Sequence, residues 1–162
     1  MTSARKVDAT TVTTPSDREV VITRVVDAPR RLVFEAWTNP EHVRHWMLGP
    51  EGWTMLVCEI DLRPGGANRF VWRRASGTEM EIRGTYREIV PPERLVYTES
   101  WGADWPETID TLSLSEENGK TTMRLTVLYP SKEARDAALQ TGMKEGLDPS
   151  FDRLDEHLRT MV

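Results

Sequence analysis

Between residues 53 and 129 the chain is interrupted by turn-forming pairs at intervals too short for crossover connections, and no other feature restricts its fold so strongly. Pro64-Gly65-Gly66, Ser76-Gly77, Pro91-Pro92, Trp105-Pro106 and Asn118-Gly119 separate six segments at 53–62, 67–75, 78–90, 94–101, 108–116 and 121–129. Each segment reads as a strand bounded by turn chemistry. Parallel neighbours would need connections of about a dozen residues or more, so links this short predict an antiparallel meander. Alternation says which side of each strand is wet. Met80, Ile82, Gly84 and Tyr86 oppose Glu79, Glu81, Arg83 and Arg87, and Met123, Leu125, Val127 and Tyr129 oppose Thr122, Arg124 and Thr126. Every strand therefore carries an apolar face that something must cover.

The last segment of the chain supplies the cover. Ser131, with Glu133 and Ala134 behind it, opens a helix, and Met143, Leu147, Phe151, Leu154 and Leu158 recur every three or four residues along it. Gly142, Gly146 and Pro149 weaken its middle and predict a bend or break that lets it follow a curved sheet. Upstream, the β-branched run at 19–27 reads as a first strand. Pro29 then suits a helix's first turn, with Val33, Phe34 and Trp37 as its apolar stripe, and Asn39-Pro40 starts a second short helix carrying Val43, Trp46 and Met47. Residues 1–17 lack periodicity and read as a flexible tail, leaving 18–162 as a single α+β domain.

Composition excludes several classes. At 162 residues, 38% hydrophobic and 29% charged, the chain suits one globular domain. No apolar run reaches the roughly 18 residues a bilayer span needs, and the N-terminus has no apolar core of a secretory signal, so the reading is a cytoplasmic protein without membrane association. A net charge of −5 argues against nucleic acid as a partner. Cys58 is the only cysteine, so no intrachain disulfide or multi-thiolate metal site exists, and its apolar neighbours suggest a structural thiol. No cofactor motif is present: Pro64-Gly65-Gly66 is a turn, with no Lys-Ser or Lys-Thr helix start after it.

Four stretches, FEAWTNPEHVRHW at 34–46, DLRPGG at 61–66, GTYREIVPPERLVYTESW at 84–101 and SKEARDAALQTGMKEGLDPSFDRLDEHL at 131–158, together resemble the START-like SRPBCC superfamily. Within it they are most similar to the family named after the C-terminal domain of the activator of heat shock protein 90 ATPase. The resemblance implies a helix-grip fold of the birch-pollen-allergen type. That fold is a curved antiparallel sheet of about six or seven strands, two short helices after the first strand, and a long C-terminal helix closing a cavity. It also implies a co-chaperone role as one alternative; the eukaryotic co-chaperones carry a separate N-terminal module for which this length leaves no room. Asp61 and Arg63 fall in the family motif and are read as fixing a turn.

Apolar pockets with few polar groups are the usual form of small-molecule sites. Alternation and the helix stripes place Phe70, Trp72, Met80, Tyr97 and Trp101 on the inner wall, Trp37 and Trp46 at the mouth, and Met143 and Leu147 on the gripping helix. Binding of a small hydrophobic molecule is the leading functional expectation. Glu99 shares a face with Leu95, Tyr97 and Trp101, which puts a carboxylate into the pocket, with Arg69 as a candidate partner. There it would anchor a polar ligand head or serve as the acid or base of a cyclase, hydratase or hydrolase. No convergent His, Asp and nucleophile set accompanies it, so no catalytic residue is assigned. His42 and His45 stand three residues apart without a third ligand and read as a solvated helix face, and His157 as a cation near a helix terminus or a surface residue. Exposed tryptophan faces, where present, would suit a homodimer.

Overall fold

The computed structural model describes residues 10–102 and 105–161. An eight-stranded antiparallel sheet is formed by β1 (Thr11–Thr13), β2 (Glu19–Val26), β3 (Trp53–Ile60), β4 (Ala67–Arg74), β5 (Glu79–Val90), β6 (Arg94–Glu99), β7 (Thr108–Glu117) and β8 (Lys120–Leu128), in the order β1-β2-β8-β7-β6-β5-β4-β3. From β3 to β8 each strand pairs with the next in the chain, as the short links predict. The helices α1 (Arg30–Thr38) and α2 (Pro40–Trp46) carry the chain from β2, beside β8, to β3 at the far edge.

The strand beyond the expected number is β1, which lies in the segment read as a tail. Its three residues pair with β2, Thr11 opposite Thr23 and Thr13 opposite Val21. The buried Thr10 beside it accepts a hydrogen bond from Arg24 Nη1 at 3.3 Å. Val12 also packs against the main core, but three residues are too few to show an apolar period in the sequence. Residues 1–9 of the expected tail lie outside the described residues.

Local signals account for the helix ends. Asn39 caps α2 by accepting from the Glu41 backbone N–H at 3.0 Å, with Pro40 as the first helical residue. For α1 the cap comes from another element, the Arg30 backbone N–H donating to Glu116 Oε1 of β7 at 2.9 Å. Ser131 caps α3 (Lys132–Leu139) through the Ala134 N–H at 3.1 Å. The expected break falls at Gly142, whose φ of +76° only glycine adopts without strain, and α4 (Met143–Met161) starts immediately after it. Pro149 does not end α4; it forfeits one intrahelical bond, to the Glu145 carbonyl, near the helix start.

The sheet bends where β3 and β5 shift register, between Met55 and Val57 and between Tyr86 and Glu88. Gly84 lets β5 approach β6 at the bend: a Cβ there would overlap the Thr98 carbonyl oxygen. On the concave side, Phe151, Leu154 and Leu158 of α4 are buried in one core with Val33, Trp37, Trp46, Leu95, Leu112, Met123 and Leu125. A smaller cluster of Val43, Phe70, Trp72 and Ile82 lies beneath α2. The outer face is wet and charged, with Arg69 Nε and Arg83 Nε on Glu81 Oε2 at 2.6 and 2.7 Å.

Candidate functional site

A small cavity of about 40 Å³ remains between the two apolar clusters, partly open and lined by Trp37 and Met47 from the helices and by Asn68, Phe70, Ile82, Tyr86, Leu95, Tyr97, Thr98 and Glu99 from β4, β5 and β6. Strand geometry explains the lining. Tyr86 stands opposite Tyr97 and Phe70 opposite Ile82, so the inward faces of three consecutive strands meet there. Four of the expected residues, Trp37, Phe70, Tyr97 and Glu99, line this space.

The other six are placed differently. Trp46 is 1% exposed, packs its ring 5.0 Å from that of Trp37, and donates its indole N–H to the Ala36 carbonyl at 2.9 Å; it supports the wall from behind. Trp72 is buried and donates to the Met47 carbonyl at 2.7 Å, tying β4 to the end of α2. Met80 and Trp101, expected inside, are 37% and 44% exposed, because β5 and β6 run past the helices that cover the sheet; Trp101 stacks on Trp72 at 6.5 Å. Met143 and Leu147 pack on the main core as partly buried residues and do not reach the cavity.

Glu99 has a different partner from the one expected. Arg69 points to the outer face and holds Glu81, as alternation along β4 dictates. Glu99 instead meets Asp110 of β7 and accepts a hydrogen bond from the Trp101 indole. Asp110 is 1% exposed and accepts from Thr108 Oγ1 at 2.6 Å. Burial raises the affinity of both carboxyls for a proton, most strongly at Asp110, where the negative charge of Glu99 adds to it. A hydrogen bond between two carboxyls requires a proton, which Glu99 and Asp110 share and titrate as a pair. The same burial and charge push the Tyr97 and Tyr129 hydroxyls above their usual range, and burial pushes Tyr86 up to about 12.

Asp110 escaped the sequence reading, although the signal was available: in β7 it alternates with Leu112 and Leu114, so it belongs to the buried face. Asn68 likewise alternates with Phe70 and Trp72, is 5% exposed, and leaves its side-chain oxygen without a partner. Arg24, missed within a β-branched strand, is 2% exposed and reaches Asp152 Oδ1 of α4 at 2.7 Å.

The histidines also depart from expectation. His157 lies between His42 and His45: its Nε2 is 2.8 Å from His42 Nδ1 and its ring stacks on His45 at 4.9 Å. Burial and these two neighbours lower its proton affinity, so it is not the terminal cation the sequence suggested. Glu35 accepts from the other ring nitrogen of His42 at 3.3 Å. Among the described residues, no three His, Cys, Asp or Glu side chains are arranged to hold a metal ion. Cys58 is half-buried, with burial raising its pKa, and Arg63 bonds Asp61 at 2.9 Å in the turn both were expected to fix.

A curved antiparallel sheet gripped by a C-terminal helix defines a helix-grip protein. The chain belongs to the Activator of Hsp90 ATPase homolog 1-like protein family, whose model matches residues 27–159. Among solved structures it is similar to a protein from Rhodobacter sphaeroides, 28% identical, with a TM-score of 0.89 over 94% of this chain and 99% of that one. A protein from Nitrosomonas europaea is 22% identical, with a TM-score of 0.80 over 91% and 98%. An AHSA1-like protein from Aeromonas hydrophila is 19% identical, with a TM-score of 0.68 over 84% and 92%. The last two show the fold alone. None of the curated proteins matches the chain. Among the described residues, no helix is long and apolar enough to cross a membrane.

Proposed function

We propose that the protein binds a small, largely apolar molecule in the cavity between sheet and helices, its body against Trp37, Phe70, Ile82 and Leu95 and its polar head at Glu99. One observation carries this reading: the only formal charge on the lining stands beside a buried, proton-sharing Asp110 and faces a mostly apolar space. Isolated buried carboxyls reduce stability, so a pair kept at a void is better explained by a bound partner than by packing. The size restricts the guest. At roughly 10–15 Å³ per water-sized probe, the space accepts about three or four non-hydrogen atoms before Met47 or another wall residue moves. The carboxyl pair is also equipped to give or take a proton, but no reaction is assigned to it.

Thermal unfolding in the presence of short alcohols and amines checks the reading. A saturating ligand at about a hundred times its dissociation constant stabilises by about 2.7 kcal/mol, and Leu95→Phe, which fills the cavity, is expected to abolish that shift while the protein stays folded. Equal shifts in both proteins would move the binding site elsewhere.

The family match supports a second reading, a co-chaperone or interaction role, and the exposed Met80, Trp101 and Trp105 side chains are apolar surface that a protein partner would cover. A bacterial-type heat shock protein 90 is then expected to hydrolyse ATP faster with this protein present, and more slowly again with Trp101→Ser. Unchanged turnover removes this second role.

A further inference from the structure

We propose that the guest's head is a cation, so that the natural ligand is a small organic amine or ammonium compound rather than a fatty acid or other anion. This rests on the binding role proposed above and adds the charge and hydrogen-bonding character of the ligand.

Three features of the cavity converge on that class. First, none of the ten lining residues is Lys, Arg or His, and Glu99 is the one formal charge among them. The nearby arginine that could have neutralised Glu99 is committed elsewhere, Arg69 holding Glu81 at 2.6 Å on the opposite face of the sheet. An anionic head would meet Glu99 with no counter-charge, in surroundings where like charges repel far more than in water.

Second, the polar end has an acceptor in excess. The Asn68 amide meets the Tyr86 hydroxyl, and its Oδ1 is left buried on the lining with no donor, a state that costs free energy unless a ligand relieves it. Glu99 already receives the Trp101 indole and shares a proton with Asp110, and its carboxyl has room for a further donor. An ammonium group brings up to three N–H donors and one positive charge, and so complements both acceptors at once.

Third, the walls are aromatic. Trp37, Phe70, Tyr86 and Tyr97 surround the space, and ring faces attract a desolvated cation through their quadrupoles. Aliphatic packing alone is provided as well by Leu, Ile or Val, so four rings around one carboxylate suit a positively charged head particularly well. Asp110 fits the same picture, since a bound cation stabilises the fully ionised pair and binding would expel the shared proton.

Three probes of four non-hydrogen atoms each, which the space accepts, test this on the whole chain: propylamine, propanol and acetate, titrated at pH 7 and followed by NMR through the Trp37 indole and Tyr97 ring signals. The expected order is amine, alcohol, acid, with the amine about tenfold or more tighter than acetate. Glu99→Gln is expected to weaken the amine by about tenfold and to bring acetate up to the level of the alcohol. Acetate binding as tightly as the amine to the unaltered protein overturns the charge assignment and leaves the binding role standing, with no variant required. Absence of a saturable shift with all three probes overturns the binding role itself.

Discussion

Phe151→Ala is expected to destabilise the protein by about 3–5 kcal/mol, the usual loss for deleting a buried aromatic ring. Phe151 is 2% exposed and is the residue through which α4 grips the other helices, its ring 6.3 Å from that of Trp37 and 6.2 Å from that of Trp46. Both indole N–H groups are already satisfied, by Met123 Sδ and the Ala36 carbonyl, so neither tryptophan can turn to fill the hole without breaking a bond. For a chain of this size the loss corresponds to a fall in Tm of roughly 6 to 20 °C. Met143→Ala, on the same helix but only partly buried, should cost less than half as much. Equal losses in a differential scanning experiment would mean that α4 is held along its whole length and not at this ring cluster.

The second large effect concerns pH. In the unfolded chain free carboxyls ionise near pH 4, whereas the folded Glu99–Asp110 pair keeps a proton above that point because burial and mutual repulsion raise its affinity. The folded state therefore binds more protons than the unfolded one. Its stability contribution is complete below the unfolded pKa and is lost as pH rises through the folded pKa, by at most about 1.4 kcal/mol per pH unit for one proton. Asp110→Asn keeps a neutral group that donates to Glu99 and accepts from Thr108 Oγ1, so it should remove this decline. Urea midpoints between about pH 4 and pH 9 are expected to fall less steeply for the variant, which gains on the parent protein as pH rises. Parallel profiles for the two proteins would show that the pair ionises normally in the fold.

Legibility in the sequence differed by kind of feature. The alternation of Met123, Leu125, Val127 and Tyr129 with polar neighbours survives intact as the buried side of β8. The turn pairs mark the meander, and the stripe of Phe151, Leu154 and Leu158 marks the helix that covers it. These are periodic properties of single elements, and period is written along the chain. Strand β1 was not legible because it is held by the backbone of β2 rather than by a pattern of its own. In the site, alternation placed Tyr97 and Glu99 on the inner side but could not tell the wall of a cavity from the end of a sheet, and so Met80 and Trp101 were expected inside.

Fold class, the pairing of β3 through β8 and the identity of the gripping helix follow from the sequence alone, because each depends on local periodicity and on links too short to permit another topology. The tertiary structure alone decided which charges meet. Glu99 is joined by Asp110 across a strand pair, Arg69 is turned outward to Glu81, Arg24 is enclosed against Asp152, and His157 is brought from the end of the chain to His42. Electrostatic partners are selected by distance in space, and the curvature and register that set those distances arise only when the whole sheet has closed around its helix.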